Sequence, residues 1–502
     1  MNKISLTLSL ALTWAALHAQ APEISWKKTY GGSGNDGLSA VENLPGGGHI
    51  IAGYTDSVDG DVTQPVVGMQ DLWLLKTDDS GTILWQKTIG NVNSEMPNDI
   101  ALTSDGGYII AGSHNSPNSS YGYDFLIVKT DSEGNAEWQK ILGGTGYDVA
   151  HGVHPTPDGG YIVAGESTSN DGDAVAGHGM SDFWVLKLDS EGNTTWQKKF
   201  GGTLNDICMA IQPTSDGGYV VAGVTESTNG DVTGNHGMND YWLIKLNANG
   251  DKMWQKTYGG TSIDYGLVMT LASDGGYLLS GFVFSNDGDV TGNHGAADMW
   301  VVKTNATGTI EWQKSMGGTN NETTYDVITT QDGGYLLGGY AMSADGDLTV
   351  NQGNTDYWVV KLSSSGTLEW QKSMGGSNLD YVKGLRETAN NEYIIVGNSR
   401  SGDGDVGGNL GNEDFWVVQL GEVVSGIDIP EKMNITAYPN PAADILFFSE
   451  PIQNIKVVTI DGKEVLTAQN TSKISTSHLP PGMYFTEITT GNNRQKMKFL
   501  KQ

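Results

Sequence analysis

The chain has 502 residues, 70 of them glycine, and its 58 acidic against 28 basic side chains give a net charge of −30. Such a surface repels phosphate backbones and anionic lipid, which argues against nucleic acid as a partner. Charged residues make up only 17% of the sequence and glycine is abundant without a collagen period, so the chain is turn-rich and folded, not disordered.

Residues 1–19 carry Lys3, a short apolar run and Leu17-His18-Ala19, the pattern of a signal peptide cut after Ala19. The apolar run is too short for a membrane anchor, and no later segment reads as a transmembrane span. The single cysteine, Cys208, rules out a disulfide within the chain and reads as a small buried apolar residue in a strand.

From residue 20 to 421 one pattern recurs. An acid opens an aromatic or aliphatic strand at Asp71, Asp124, Asp182, Asp240, Asp298, Asp356 and Asp414, with one spacing of 53 residues and then five of 58. "WQK" follows the first six, and "DGGY" or a variant precedes each one. In the unit around 206–258 the strands are predicted at 210–215, 219–224, 241–246 and 252–258, joined by "DGG", a long loop and "NANG". Gly and Asn there supply the positive φ of tight turns, and the strands are rich in Val, Ile, Tyr and Trp. Four short strands repeated seven times predict an all-β, seven-bladed β-propeller. The seventh unit lacks its "WQK" strand, while "ISWKKTYGG" at 24–32 has no unit of its own. That strand is expected to close blade seven and to remove both exposed sheet edges. The pattern resembles the SBBP-type seven-bladed propeller repeats of bacterial secreted proteins, a resemblance that implies fold and leaves chemistry open.

After a linker at 422–435, residues 436–502 change character, and from 428 onward eight basic residues face seven acidic ones. Alternating strands with a "DG" turn predict a small β-sandwich. "YPNP" (Tyr438, Pro439, Asn440, Pro441), "DGK", "LPPGMY" with Gly482 and Tyr484, and the basic end resemble the type A C-terminal sorting domain of the Bacteroidetes type IX secretion system. The resemblance implies passage through the periplasm and recognition by that machinery at the outer membrane. It further implies removal of the tail, with release or attachment at the cell surface.

The loops joining fourth to first strands and second to third strands emerge on one face, where propeller sites usually form. One acid lies ten residues before each "DGG" position: Asp36, Glu95, Asp148, Asp206, Asp264, Glu322 and Asp380. This places a ring of carboxylates at a mouth of the central channel, readable as a cation site or as seven turn-closing side chains. The long loops hold Asp59 and Asp61, Asp171 and Asp173, Asp231, Asp287 and Asp289, Asp345 and Asp347, and Asp403 and Asp405 as candidate calcium ligands. They lack the distal Glu of an EF-hand loop, and blade two lacks the feature altogether, a gap that would widen access there. His178, His236 and His294 occupy one repeat position and are spread around the ring, which argues against a shared metal. Thirteen of the fourteen Trp residues fall at two repeat positions and read as interblade packing.

There is no GxSxG elbow, and only Arg386 and Arg400 supply arginine in the propeller, too few for a sialidase cluster. The sequence reading is therefore a monomeric secreted or cell-surface binding or adhesion module for a glycan or protein, with calcium as its one candidate cofactor. Alternatives are a polysaccharide-active lyase or hydrolase working across the loop face and a purely structural surface protein.

Overall fold

The computed structural model describes residues 20–115, 122–348, 350–421, 435–459, 463–490 and 493–502. The segment read as a signal peptide, with Ala19, and most of the 422–435 linker lie outside them. Every regular element among the described residues is a strand, and none is a helix long and apolar enough to cross a membrane. The chain divides into one unit ending at Gly421 and a second, Glu422–Gln502.

The first unit holds seven antiparallel four-stranded sheets. Blade four is representative, with strands Asp206–Pro213, Tyr219–Thr225, Asp240–Leu246 and Lys252–Tyr258 paired in sequence order. Its inner strand starts at Asp206, four residues before the predicted start, because pairing with the second strand continues past a bulge between Cys208 and Ala210. Blade seven takes Asp380–Glu387, Tyr393–Ser399 and Asp414–Gly421 from the end of the repeats, and Glu23–Tyr30 from their start. Strand Asp36–Asn43 of blade one packs beside Asp380–Glu387, so the seven inner strands form a closed ring.

The core lies between blades. Each of the seven junctions encloses an apolar cluster built from both neighbours, such as Ile162 and Val185 of blade three with Ile211, Val221 and Trp242 of blade four. Trp242 is fully buried, its ring 4.6 Å from Phe183 of the preceding blade, and its indole N–H donates to Gln255 Oε1 at 2.7 Å. The outer tryptophans reach forward instead: Trp196 packs on Tyr219 and Trp254 on Tyr277, each in the next blade. Both Trp positions therefore join blades, which accounts for their recurrence. Cys208 is buried in one such cluster, and burial pushes its thiol pKa up.

The second unit has strands Ala437–Tyr438, Ile445–Thr459, Glu464–Ser475, Gly482–Thr490 and Asn493–Lys501. All five belong to one hydrogen-bonded network that branches at the long strand Ile445–Thr459, around a core including Leu446, Val457, Tyr484 and Phe499.

Candidate functional site

Antiparallel order places the long second-to-third-strand loops and the loops entering each blade on one face, and there they latch together. In blade five, Asp287 accepts from the Thr261 backbone N–H at 2.8 Å and from its hydroxyl at 2.7 Å. Asp289 donates its backbone N–H to Gly259 O at 2.9 Å, and its carboxylate accepts from Gly259 N at 3.4 Å. Between them Gly288 sits at φ +64°, with space for a Cβ only 2.5 Å from Gly259 O, so the latch requires glycine. The same latch recurs with Asp59 and Asp61, Asp171 and Asp173, Asp345 and Asp347, and Asp403 and Asp405; Asn229 and Asp231 serve in blade four. Backbone and side-chain bonds from Thr261 hold the Asp287 carboxyl below the usual range. Among the described residues no group of three or more His, Cys, Asp or Glu side chains comes together as a metal set.

The seven inner-strand acids are buried at 0–1% exposure and do not open onto the channel mouth. Asp206 accepts from Gly202 N at 2.7 Å, from Ser227 Oγ at 2.9 Å and from the Thr225 hydroxyl. Asp36, Asp148, Asp264 and Asp380 each take the same glycine N–H and serine hydroxyl, Glu322 takes the glycine N–H and the Ser343 backbone N–H, and Glu95 pairs with His114 Nδ1 at 3.0 Å. Burial raises the carboxyl pKa of Asp36, Glu95, Asp206, Asp264, Glu322 and Asp380.

A second set of buried acids opens the third strands, where the sequence suggested only a landmark. Asp240 accepts the His236 backbone N–H on Oδ2 at 2.9 Å, while its Oδ1 is buried with no hydrogen-bond partner. Asp182, Asp298, Asp356 and Asp414 repeat this arrangement. A glycine separates each from the next inner-strand acid; a Cβ on Gly259 would fall 2.7 Å from Asp240 and 2.8 Å from Asp264. Burial pushes Asp240, Asp356 and Asp414 up to about 6.

The histidines serve these acids. His236 and His294 hold Asp240 and Asp298 through Nδ1 at 2.7 Å, and His178 lies 3.6 Å from Asp182 and 3.8 Å from Asp231 of the next blade. Gln352, at the same position, donates to Asp405 of its next blade at 2.7 Å.

Residues that break the repeat line the central channel, a cavity of about 470 Å³. Arg386 donates to Glu42 at 2.7 Å, to Asp326 at 3.3 Å and to Leu385 O at 2.6 Å. Burial alone would favour a neutral guanidinium, but Glu42 and Asp326 outweigh it and keep Arg386 charged. Nearby, burial pushes Asp99 up to about 7 and His154 down to about 4. Met209, Leu267 and Met269 form an apolar part of the same wall. The sequence signal for this cluster is departure from the repeat along the inner strands, visible only once their register is known.

The loop face is also the apolar face. Among the described residues of the propeller, fifteen large apolar side chains are exposed: twelve lie in its loops, three on outer strands and none in the tight turns of the opposite face. Met69, Met180 and Met238, exposed at 71%, 57% and 61%, share one repeat position. In the second unit, Asn440 pins the last strand, donating to Lys498 O at 3.2 Å and accepting from Leu500 N at 2.9 Å. Its neighbours Pro439 and Pro441 flank it, and Tyr438 is half exposed. Tyr484, two residues after Gly482, donates to Pro480 O at 2.9 Å.

Residues 436–502 match the family of secretion system C-terminal sorting domains, so the chain carries a type IX sorting tail. That tail implies interaction with the type IX machinery and export to the cell surface or beyond. Over 394 residues the chain is 25% identical to the regulatory protein FlaEY of Caulobacter vibrioides, covering 68% of this chain and 40% of that protein's length. Among solved structures, the Pan2 WD40 domain of Neurospora crassa is similar at 9% identity and a TM-score of 0.42, with 77% of this chain and 89% of that one covered. YCF48 bound to D1 peptide is similar at 11% identity and a TM-score of 0.40, with 82% and 99% covered.

Proposed function

We propose that this exported propeller is a binding module that takes its partner on the loop-bearing face. The observation that carries the reading is the one-sided exposure of large apolar side chains, among the described residues twelve in the loops and none in the opposite turns. A face of that kind loses water on contact and gains by it, and methionine side chains adapt to an uneven partner. Met and Val outnumber flat aromatic rings there, which favours a protein over a glycan as the ligand. Calcium is given no part in recognition, because the latch aspartates already accept backbone and side-chain donors.

The test is selection from a peptide display library and a glycan array by the full-length chain and by a Met69→Ser/Met180→Ser/Met238→Ser variant. The expected result is that the chain selects peptides and the variant loses them. Selection of nothing, or an unchanged set with the variant, would overturn the reading. Repeating the selection with a chelator shows whether calcium matters.

A further inference from the structure

Every inner strand of the propeller has a β-bulge at the same place, and the bulged residue of each lines the central channel. The geometry repeats in all seven blades, but the residue does not. Blades one to three place Ser39, Asn98 and His151 there, and blades four and five Met209 and Leu267. Blades six and seven place Tyr325 and Lys383. One layer of the channel therefore has a polar arc, an apolar arc and a single lysine.

The carboxyl groups of the wall are already committed. Glu42 accepts from Arg386 at 2.7 Å, Asp99 from the backbone N–H groups of Ile100 and Val153, and Asp326 from those of Val327 and Leu385. Glu413, the acid whose charge acts on Lys383, takes Arg400 at 2.7 Å and the Tyr381 hydroxyl at 2.8 Å. Lys383 is left with the ring faces of Tyr325 at 4.3 Å and Tyr381 at 5.4 Å, and among the described residues its ammonium makes no hydrogen bond or ion pair. Burial holds its pKa below the ordinary lysine value, the mark of a cation short of water and counter-charge. The hydroxyl of Ser39, on the adjacent inner strand, likewise has no partner among the described residues.

We infer that this layer of the channel binds an organic carboxylate with a compact apolar body, its anion on Lys383 and Ser39 and its body on Met209 and Leu267. A carboxylate gives the ammonium a charge-assisted hydrogen bond that no group of the wall supplies. The volume of about 470 Å³ suits a small ligand. Lys383 and Arg386 together offset Glu42 and Asp326, so the layer does not share the net charge of −30 that repels anions from the chain as a whole. A free small acid and the C-terminus of a peptide carry the same chemistry.

The probes are phenylacetate, hexanoate and acetylated leucyl-phenylalanine, each paired with its amide and titrated onto the full-length chain by ligand-observed NMR. Saturable binding of at least one acid is expected, with its amide at least about tenfold weaker. Lys383→Met keeps an apolar stem without the charge and is expected to weaken that acid at least about tenfold. Ser39→Asp puts an anion into the layer and is expected to abolish binding. Binding of phenylacetate or hexanoate supports the site with a free small acid as its ligand, and binding of the dipeptide alone supports it with a peptide C-terminus. No saturable binding of any acid, equal binding of acids and amides, or undiminished binding by either variant overturns the inference. Neither variant touches Met69, Met180 or Met238, so failure here is distinct from failure of the display selection.

Discussion

Trp26 donates its indole N–H to Gln419 Oε1 at 2.6 Å although 393 positions separate the two residues. This contact sits on the seam that closes the ring: Trp26 keeps the repeat's outer tryptophan, and Gln419 departs from the repeat to receive it. Elsewhere the position of Gln419 is a lysine and the position after the outer Trp is glutamine, which holds the inner Trp of the same blade, as Gln86 holds Trp73. In blade seven that glutamine is Lys27, and Trp416 Nε1 is left buried without an acceptor. Trp26→Ala is expected to destabilise the propeller by about 3 kcal/mol through lost packing and an opened seam. Lys27→Gln is expected to stabilise it by about 1 kcal/mol by giving Trp416 an acceptor. Urea unfolding followed by tryptophan fluorescence measures both.

The latch glycines separate two costs that are usually merged. Gly288 and Gly292 both have positive φ, +64° and +86°, but a Cβ at Gly288 meets Gly259 O at 2.5 Å whereas one at Gly292 meets nothing within 4 Å. Gly292→Ala therefore carries only left-handed backbone strain, about 1 kcal/mol. Gly288→Ala adds a clash with a main-chain carbonyl and is expected to cost clearly more, about 2–4 kcal/mol. Equal melting temperatures for the two variants would mean that the loop is not held against the blade entrance.

Two sets of acids, one buried and one exposed, make stability depend on pH in opposite directions. Asp240, Asp356 and Asp414 are raised to about 6 in the fold, chiefly by burial, against an ordinary 3.8. In that interval the folded state binds more protons than the unfolded one, so their contribution is full below about 4 and lost as pH rises through about 6. The groups facing Asp240 include His236 and Asp264. The exposed turn acids Asp105, Asp158 and Asp216 lie at about 2, because hydroxyl bonds from Thr103, Thr156 and Thr214 and the ammonium groups of Lys129, Lys187 and Lys245 outweigh burial, and they act in reverse as pH falls below about 4. Asp240→Asn keeps an acceptor for the His236 N–H and removes the titration. It is expected to flatten the fall in stability between about pH 4 and 6 by on the order of 1–3 kcal/mol. Unfolding free energies across that range check the sign.

The blade order and the closing strand were legible in the sequence because packing imposes one residue type per position. Trp242 must fill the space beside Phe183, and a residue type repeated in six of the seven blades is visible without coordinates. The role of each acid was not legible. Asp287, Asp206 and Asp240 look alike in the sequence, yet one latches a loop, one closes a turn in a dry interior and one leaves an oxygen unpartnered. Those differences depend on which backbone N–H lies within 3 Å, a tertiary fact. The Glu42, Asp326 and Arg386 cluster stayed hidden for another reason: a search for repeats discards what does not repeat.

In the sorting tail, Asn440 ties the Tyr438–Pro441 motif to the final strand by donating to Lys498 O and accepting from Leu500 N. That strand is the edge of the sheet and carries Lys498 and Lys501, so its register decides where the basic groups stand. Asn440→Ala removes both bonds, an expected loss of about 1–2 kcal/mol for exposed partners. Asn440→Asp retains the acceptor for Leu500 N and loses only the donor. If the machinery reads the strand in this register, the alanine variant accumulates inside the cell and its surface fraction drops, while the aspartate variant falls between it and the parent. Cell fractionation with immunoblotting of the propeller reads this directly, and equal surface fractions for all three would assign recognition to another part of the tail.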